Sequence, residues 1–146
     1  MIREISFVLP AYNEADNIGS VLHTCQSVAD TLTEKYEIIV VDDGSTDSTR
    51  KVVETLSKQI RAIRLIVHDK NYGIAEATRT GLAAAQFHYV FYTDSDGQFD
   101  IREIHKFIPF MNTFLYNCLI LLLFQYTHTR CKLFIQAYEK RRTTTS

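Results

Sequence analysis

The 146-residue sequence contains no tryptophan, only two prolines, five glycines and three cysteines. So little glycine and proline excludes a collagen-like or low-complexity chain. The cysteines, Cys25, Cys118 and Cys131, are odd in number and lack metal-ligand spacing, so they predict neither a disulfide framework nor a zinc site. They favour a reducing, cytoplasmic location. The first apolar run, residues 5–9, is too short for the core of a signal peptide.

An excess of one charge is also missing, because 16 basic side chains balance 17 acidic ones. No global positive field is therefore present to attract nucleic acid. The distribution is uneven: residues 1–112 carry 11 basic and 16 acidic side chains, whereas residues 113–146 carry 5 and 1. This shift predicts a folded domain over residues 1–112 and an atypical tail over residues 113–146, apolar at first and then basic.

Long hydrophobic runs are scarce as well. The longest, residues 114–124, has eleven residues and is interrupted by Asn117. A helix of that length spans about 16 Å, well short of the roughly 30 Å hydrocarbon core of a bilayer. We therefore expect a buried element, or an interfacial segment with Arg130, Lys132 and residues 140–142 near anionic lipid, rather than a transmembrane helix. A tail without a selected function is the remaining alternative.

Four short apolar runs rich in β-branched and aromatic residues predict buried strands. They are Ile5–Leu9, Tyr36–Val41, Ile63–Val67 and Tyr89–Tyr92. Their starts lie 31, 27 and 26 residues apart, which leaves room for one helix between each pair.

Apolar residues at helical spacing fill those intervals. They predict helices over about residues 15–33, after an N-cap at Ser45, over about residues 74–85, and from Ile101 until Pro109 ends or kinks the chain. Alternating strands and helices imply an α/β fold with a mostly parallel sheet flanked by helices. Ligands of such sheets bind beyond the carboxyl ends of the strands.

The sharpest feature at a strand end is Asp94-Ser95-Asp96, which follows the fourth predicted strand. Two carboxylates at positions i and i+2 can converge on one hard cation or divide between a cation and a sugar hydroxyl, and Gln98 supplies a further oxygen two residues later. Asp and Gly also favour solvated turns. The position after a buried strand, facing other acidic loops, favours the metal site.

Two other strand ends carry polar residues. Asp42 and Asp43 need partners, because uncompensated charge beside an apolar sheet is costly, and the ring N–H of uracil or guanine is one such partner. Asn71 opens a loop and helix that can approach a diphosphate, with Arg79 as its charge partner. Close helix packing at Gly81 and a solvated Arg79 are the alternatives. Neither a G-x-G-x-x-G motif nor a P-loop is present.

Four segments, in order, resemble the family 2 glycosyltransferases, which have the Rossmann-like GT-A fold that binds nucleotide-sugars. The segments are residues 7–14 (FVLPAYNE), 41–47 (VDDGSTD), 71–73 with 79–81 (NYG and RTG) and 94–100 (DSDGQFD). The sequences of these segments are most similar to those of the dolichyl-phosphate and polyprenyl-phosphate mannosyl- and glucosyltransferase branch. The resemblance covers about residues 3–109.

The resemblance implies a role for each matched residue. The predicted nucleotide-sugar-binding residues are Pro10, Ala11, Tyr12, Glu14, Asp43, Asn71, Arg79, Asp94 and Ser95. Asp43 is expected to meet the base. Asp94 and Asp96 are the predicted catalytic residues, and with Gln98 they are the predicted ligands of Mg²⁺ or Mn²⁺.

The implied reaction is inverting transfer of a sugar from a donor of the UDP-glucose or GDP-mannose type to a polyprenyl or dolichyl phosphate. The implied location is the cytoplasmic face of a membrane, with peripheral contact. One alternative is a nucleotide-sugar-binding domain without turnover, because catalytic domains of the family continue further. A phosphotransfer receiver domain also places carboxylates after parallel strands, but it would need an acidic pair after the first strand and a lysine after a fifth.

Overall fold

The structure is a computed structural model that describes residues 2–106 and residue 108. The elements in order are β1 (Ile5–Ala11), α1 (Ile18–Leu32), β2 (Tyr36–Asp42), α2 (Thr49–Gln59), β3 (Ile63–Val67), α3 (Ile74–Ala84), β4 (Tyr89–Tyr92) and a 3₁₀ helix (Ile101–Lys106). The four strands form a parallel sheet in the order β3-β2-β1-β4. The predicted α/β class is therefore confirmed.

The sheet is buried on both faces because successive side chains of each strand point to opposite sides. Phe7 and Leu9 of β1 join an apolar cluster with α1, α2 and the 3₁₀ helix. Val8, between them, joins a second cluster with α3. The continuous apolar runs in the sequence follow from this arrangement, since the positions of β1, β2 and β4 are buried almost throughout, whereas the edge strand β3 is only partly buried.

The strand order reverses beside β1, and this reversal positions the site. From β1 the chain moves outward to β2 and β3, and then returns after α3 to place β4 on the other edge of β1. The register aligns Ile5 with both Tyr36 and Tyr89, so the carboxyl ends of neighbouring strands lie side by side. A crevice at such a reversal is the usual ligand site of open α/β sheets.

Two predicted helix boundaries were wrong. α2 begins at Thr49 with Ser48 as its N-cap residue, not at Ser45. Ser45 is used elsewhere, because its Oγ accepts a hydrogen bond from the Asn13 N–H at 3.0 Å. α1 begins at Ile18 rather than near residue 15, because the Asn17 and Ile18 N–H groups both bond the Glu14 carbonyl in an initial turn.

The last predicted helix is a 3₁₀ helix. The Glu103 N–H bonds the Asp100 carbonyl at 3.0 Å, which closes the tighter i to i+3 ring. Pro109, the boundary at residue 112 and the predicted tail, residues 113–146, lie outside the described residues, as do the basic residues expected near lipid. Among the residues that the structure does describe, none of the helices has both the length and the apolar character needed to span a bilayer.

Gly81 of α3 packs directly on the sheet. A Cβ atom at this position would collide with the side chain of Val8 and would lie 3.3 Å from Cγ2 of Val41. Close helix packing, one of the two alternatives from the sequence, therefore accounts for this glycine.

Candidate functional site

A pocket of about 310 Å³ lies beyond the carboxyl ends of the strands, beside the reversal of strand order. Its lining combines four carboxylates with small, aromatic and amide side chains: Pro10, Ala11, Tyr12, Glu14, Asp43, Asn71, Ile74, Ala77, Asp94, Ser95 and Asp96. Each of the four strand ends contributes. The pocket therefore offers many oxygen acceptors, which suit cations and N–H donors.

The structure brings most of the sequence-predicted residues together in this pocket, but it does not bring Arg79 and Gln98. The Arg79 side chain is 76% exposed and is paired with Glu76 on the same helix. The Arg79 Nε–H donates to Glu76 Oε2 at 3.0 Å. Gln98 is exposed outside the lining, and its backbone N–H donates to Asp96 Oδ1 at 2.9 Å.

Local hydrogen bonds hold the two carboxylates that follow β4. The Tyr92 hydroxyl donates to Asp94 Oδ1 at 2.9 Å. Burial, together with the charge of Asp94, raises the pKa of Tyr92 to about 12, so this hydroxyl stays protonated at neutral pH. Ser95 Oγ donates to the Pro10 carbonyl at 2.8 Å and fastens the loop after β4 to the end of β1.

The residues of the pocket fit a hard divalent cation that shares its coordination with a ligand. Among the described residues, no three His, Cys, Asp or Glu side chains form a group able to hold a metal ion unaided. Asp94 and Asp96 nevertheless place two carboxylates in the lining. Mg²⁺ is commonly held by one or two carboxylates, with substrate phosphates completing its coordination. Carboxylates also suit Mn²⁺.

Asp43 is nearly inaccessible, at 2% exposure, and is the most heavily hydrogen-bonded carboxylate of the pocket. Its Oδ1 accepts from the Tyr72 N–H at 3.0 Å and from His68 Nδ1 at 2.7 Å. Its Oδ2 accepts from the Gly73 N–H at 2.8 Å. Burial alone would raise the pKa of Asp43, but these donors outweigh burial and lower the pKa below its ordinary value of 3.8. Asp43 is therefore ionised at neutral pH.

His68, which the sequence interpretation missed, lies behind Asp43. An ionised carboxylate can only accept, so His68 Nδ1 carries the proton of their shared hydrogen bond. The other ring nitrogen, Nε2, lies 3.1 Å from Thr80 Oγ1. The ring also meets Tyr72 edge-on, with 5.4 Å between ring centroids. The signal was its position directly after β3, at the same edge of the sheet as the acidic loops.

A second missed feature is the clasp between the loops after β1 and β2, which we call the Asn13 clasp. Asn13 has a φ of 56°, a left-handed conformation that asparagine tolerates. Its Oδ1 accepts from the Thr46 N–H at 2.8 Å. Two further hydrogen bonds join the same loops: the Ala15 N–H donates to Asp47 Oδ2 at 3.1 Å, and the Glu14 N–H donates to Thr49 Oγ1 at 2.8 Å. The clasp therefore fixes the loop that carries Tyr12 and Glu14 into the pocket.

The sequence of this chain is similar to sequences of known glycosyltransferases. The profile described as "Glycosyl transferase family 2" matches residues 6–136, beyond residue 109 where the motif resemblance ended. The dolichyl-phosphate beta-glucosyltransferase of Drosophila melanogaster is 37% identical over 110 residues, covering 70% of this chain and 34% of that protein.

Two solved structures share the fold. The mannosyltransferase PcManGT from Pyrobaculum calidifontis, in complex with GDP-Man and Mn²⁺, aligns with a TM-score of 0.62 and 30% identity, covering 70% of this chain and 30% of that chain. TarS 1-349 of S. aureus, in complex with UDP, aligns with a TM-score of 0.57 and 28% identity, covering 64% and 27%.

The matched region spans only 33% to 44% of the length of the curated relatives. The family profile nevertheless covers most of this chain, and its solved relatives share the parallel sheet and flanking helices. The protein therefore belongs to glycosyltransferase family 2 and has the GT-A fold.

Proposed function

We propose that the pocket binds a nucleotide-sugar donor together with a divalent cation, and that the chain transfers the sugar to an acceptor. The observation that carries the proposal is the meeting of Asp43, Asp94 and Asp96 in one pocket at the reversal of strand order. Asp43 offers an acceptor for the base, and the two other carboxylates offer oxygens for a cation that would neutralise a diphosphate. Solved relatives in complex with GDP-Man and Mn²⁺ or with UDP support this assignment.

Asp94 and Asp96 are the residues that would hold Mg²⁺ or Mn²⁺. When bound, the cation would stabilise the negative charge that develops on the departing nucleoside diphosphate. The Tyr92 hydroxyl keeps one oxygen of Asp94 oriented, and the Gln98 N–H does the same for Asp96. Neither Arg79 nor the Gln98 side chain has a part in the proposal, because both lie away from the pocket lining.

For the acceptor we propose a polyprenyl or dolichyl phosphate, and for the reaction a transfer with inversion. The support is the name of the Drosophila relative, a dolichyl-phosphate beta-glucosyltransferase. A phosphate monoester carries about −1.5 to −2 charges at pH 7, so it is nucleophilic without a strong general base. A lipid acceptor would place the reaction at a membrane surface, and the proposed location is the cytoplasmic face.

Titration calorimetry on the full chain tests donor binding. UDP-glucose and GDP-mannose are each titrated with and without Mn²⁺ into the wild type, Asp96→Asn and Asp100→Asn. Asp100 is the matched control, because it is an exposed carboxylate of the same loop outside the lining. We expect Mn²⁺-dependent binding of one donor, weakened at least about tenfold by Asp96→Asn and unchanged by Asp100→Asn. Equal effects of the two substitutions, or no binding by a folded chain, would overturn the proposal.

Turnover needs a separate assay, because the second candidate function is donor binding without transfer. The matched region spans 33% to 44% of the curated relatives, so transfer by this chain is a separate question from donor binding. Transfer of radiolabelled sugar to dolichyl phosphate in detergent, lost in Asp96→Asn, would establish the enzyme. Mn²⁺-dependent donor binding without transfer would instead establish the binding module.

A further inference from the structure

Asp43 has little remaining capacity to accept hydrogen bonds, and this limits which base can dock against it. A carboxylate offers about four lone-pair positions, two on each oxygen. Oδ1 already accepts from the Tyr72 N–H and from His68 Nδ1. Oδ2 accepts from the Gly73 N–H. One position, on Oδ2, is left for a ligand.

The donors that hold Asp43 are two backbone N–H groups and one largely buried side chain. Tyr72 and Gly73 present backbone N–H groups at the entrance to α3, where Gly73 adopts a φ of 92° that disfavours side chains. The His68 side chain is only 12% exposed, and the ring is held between Asp43 and Thr80. The three bonds are therefore in place before a ligand arrives.

The two bases considered for the donor differ in the donors that they present. Uracil has one ring N–H, flanked by two carbonyl groups. Guanine presents a ring N–H and an adjacent exocyclic amine, which point the same way and pair with both oxygens of a carboxylate. Against Asp43, uracil would satisfy its single donor. Guanine would satisfy one donor and leave the other without an acceptor on Asp43, and a buried donor left unpaired is costly.

We propose that the pocket selects UDP-sugars over GDP-sugars, because three protein donors leave the Asp43 carboxylate a single free acceptor position. His68 is the side chain that sets the number of free positions. The proposal rests on the donor site of the proposed function and identifies its substrate class. His68 acts through Asp43, so it is a positioning residue and not a catalytic one.

Variants at position 68 separate this role from a merely structural one. His68→Phe keeps a ring beside Tyr72 but removes the donor to Oδ1, which gives Asp43 one free position on each oxygen. His68→Asn keeps an N–H donor at the place of Nδ1. We therefore expect His68→Phe to reduce the preference for uridine and His68→Asn to preserve it. A residue that only supported folding would change both affinities together.

The test is titration calorimetry of UDP and GDP, with Mn²⁺, into the full chain and both variants, with circular dichroism to verify folding. We expect UDP to bind the wild type at least about tenfold more tightly than GDP. The ratio should fall at least about threefold in His68→Phe and hold in His68→Asn. Equal or tighter GDP binding by the wild type would overturn the inference and leave the proposed donor site standing. An unchanged ratio in a folded His68→Phe would refute the role of His68, and binding of neither nucleotide would overturn both proposals.

Discussion

Glu37→Ala should lower the free energy of unfolding by about 3–4 kcal/mol, a large loss for one side chain. Glu37 lies at the start of β2, at the end of the sheet opposite the pocket, and is 5% exposed. Its Oε1 accepts from Ser6 Oγ at 2.7 Å and from the Gln86 N–H at 2.7 Å. Its Oε2 pairs with Arg64. One carboxylate thus joins β1, β2, β3 and the connection into β4.

The magnitude follows from the groups that the substitution leaves behind. Ser6 is fully buried, so the loss of the acceptor of its hydroxyl costs about 1–3 kcal/mol. The Gln86 N–H also loses its acceptor, at a smaller cost because Gln86 is exposed. Arg64 adds less, because its side chain is 39% exposed and keeps its bond to the Ala84 carbonyl at 3.2 Å. Glu37→Gln retains the acceptor but not the charge, so its loss should be intermediate.

Urea denaturation followed by circular dichroism measures these losses. Glu54→Ala is the matched control, because Glu54 pairs with Arg50 on the surface of α2, where the two side chains are 46% and 58% exposed. Such an exposed pair contributes little to stability, because solvent screens it. A loss in Glu37→Ala below about 1 kcal/mol, or equal to that of Glu54→Ala, would refute the account of this network.

Further predictions concern the loops and the titrating groups of the site. A Cβ at Gly44 (φ 69°) would lie 2.7 Å from the Asn71 N, whereas Gly97 has a similar φ of 73° but no such neighbour. In urea denaturation, Gly44→Ala should therefore lower the free energy of unfolding by about 1–3 kcal/mol more than Gly97→Ala. Equal losses would contradict this. Asp43 has a lowered pKa, so its stabilising contribution is complete above pH 3.8 and is lost as the pH falls through the folded pKa. The stability difference between wild type and Asp43→Asn should therefore shrink on acidification, and a constant difference would contradict it. The pKa of Tyr92 rises from 10.0 to about 12, so the wild type should lose stability as the pH rises through that range. Tyr92→Phe has no hydroxyl to titrate there, so its stability should fall less over the same range. Identical alkaline profiles would count against this.

The strand pattern could be predicted because the strands are short apolar runs, three of them buried on both faces and the edge strand β3 partly buried. Ile63–Val67 and Tyr89–Tyr92 have the predicted bounds, and the other two strands run one or two residues further at their carboxyl ends. The helix starts were harder, since they depend on contacts between distant loops. The sequence predicts Ser45 as a helix N-cap, but its Oγ instead accepts a hydrogen bond from the N–H of Asn13, 32 residues away. No local pattern contains that information.

The pocket residues lie at strand ends, and strand ends can be located from the sequence. That principle predicts that Asp43, Asp94 and Asp96 meet at one edge of the sheet, and all three line the pocket. It does not show which way a side chain turns, so Arg79, a full helical turn into α3, was included although it pairs with Glu76. Nor does it show which polar groups are already saturated by protein donors, which is why His68 was missed.

A crystal structure of the chain soaked with UDP-glucose and Mn²⁺ would test the central claim most directly, because it shows where the donor lies. The account predicts the uracil N–H within hydrogen-bond distance of Asp43 Oδ2, and Mn²⁺ between the diphosphate and the carboxylates of Asp94 and Asp96. A nucleotide bound outside this pocket, or one whose cation contacts neither Asp94 nor Asp96, would contradict it.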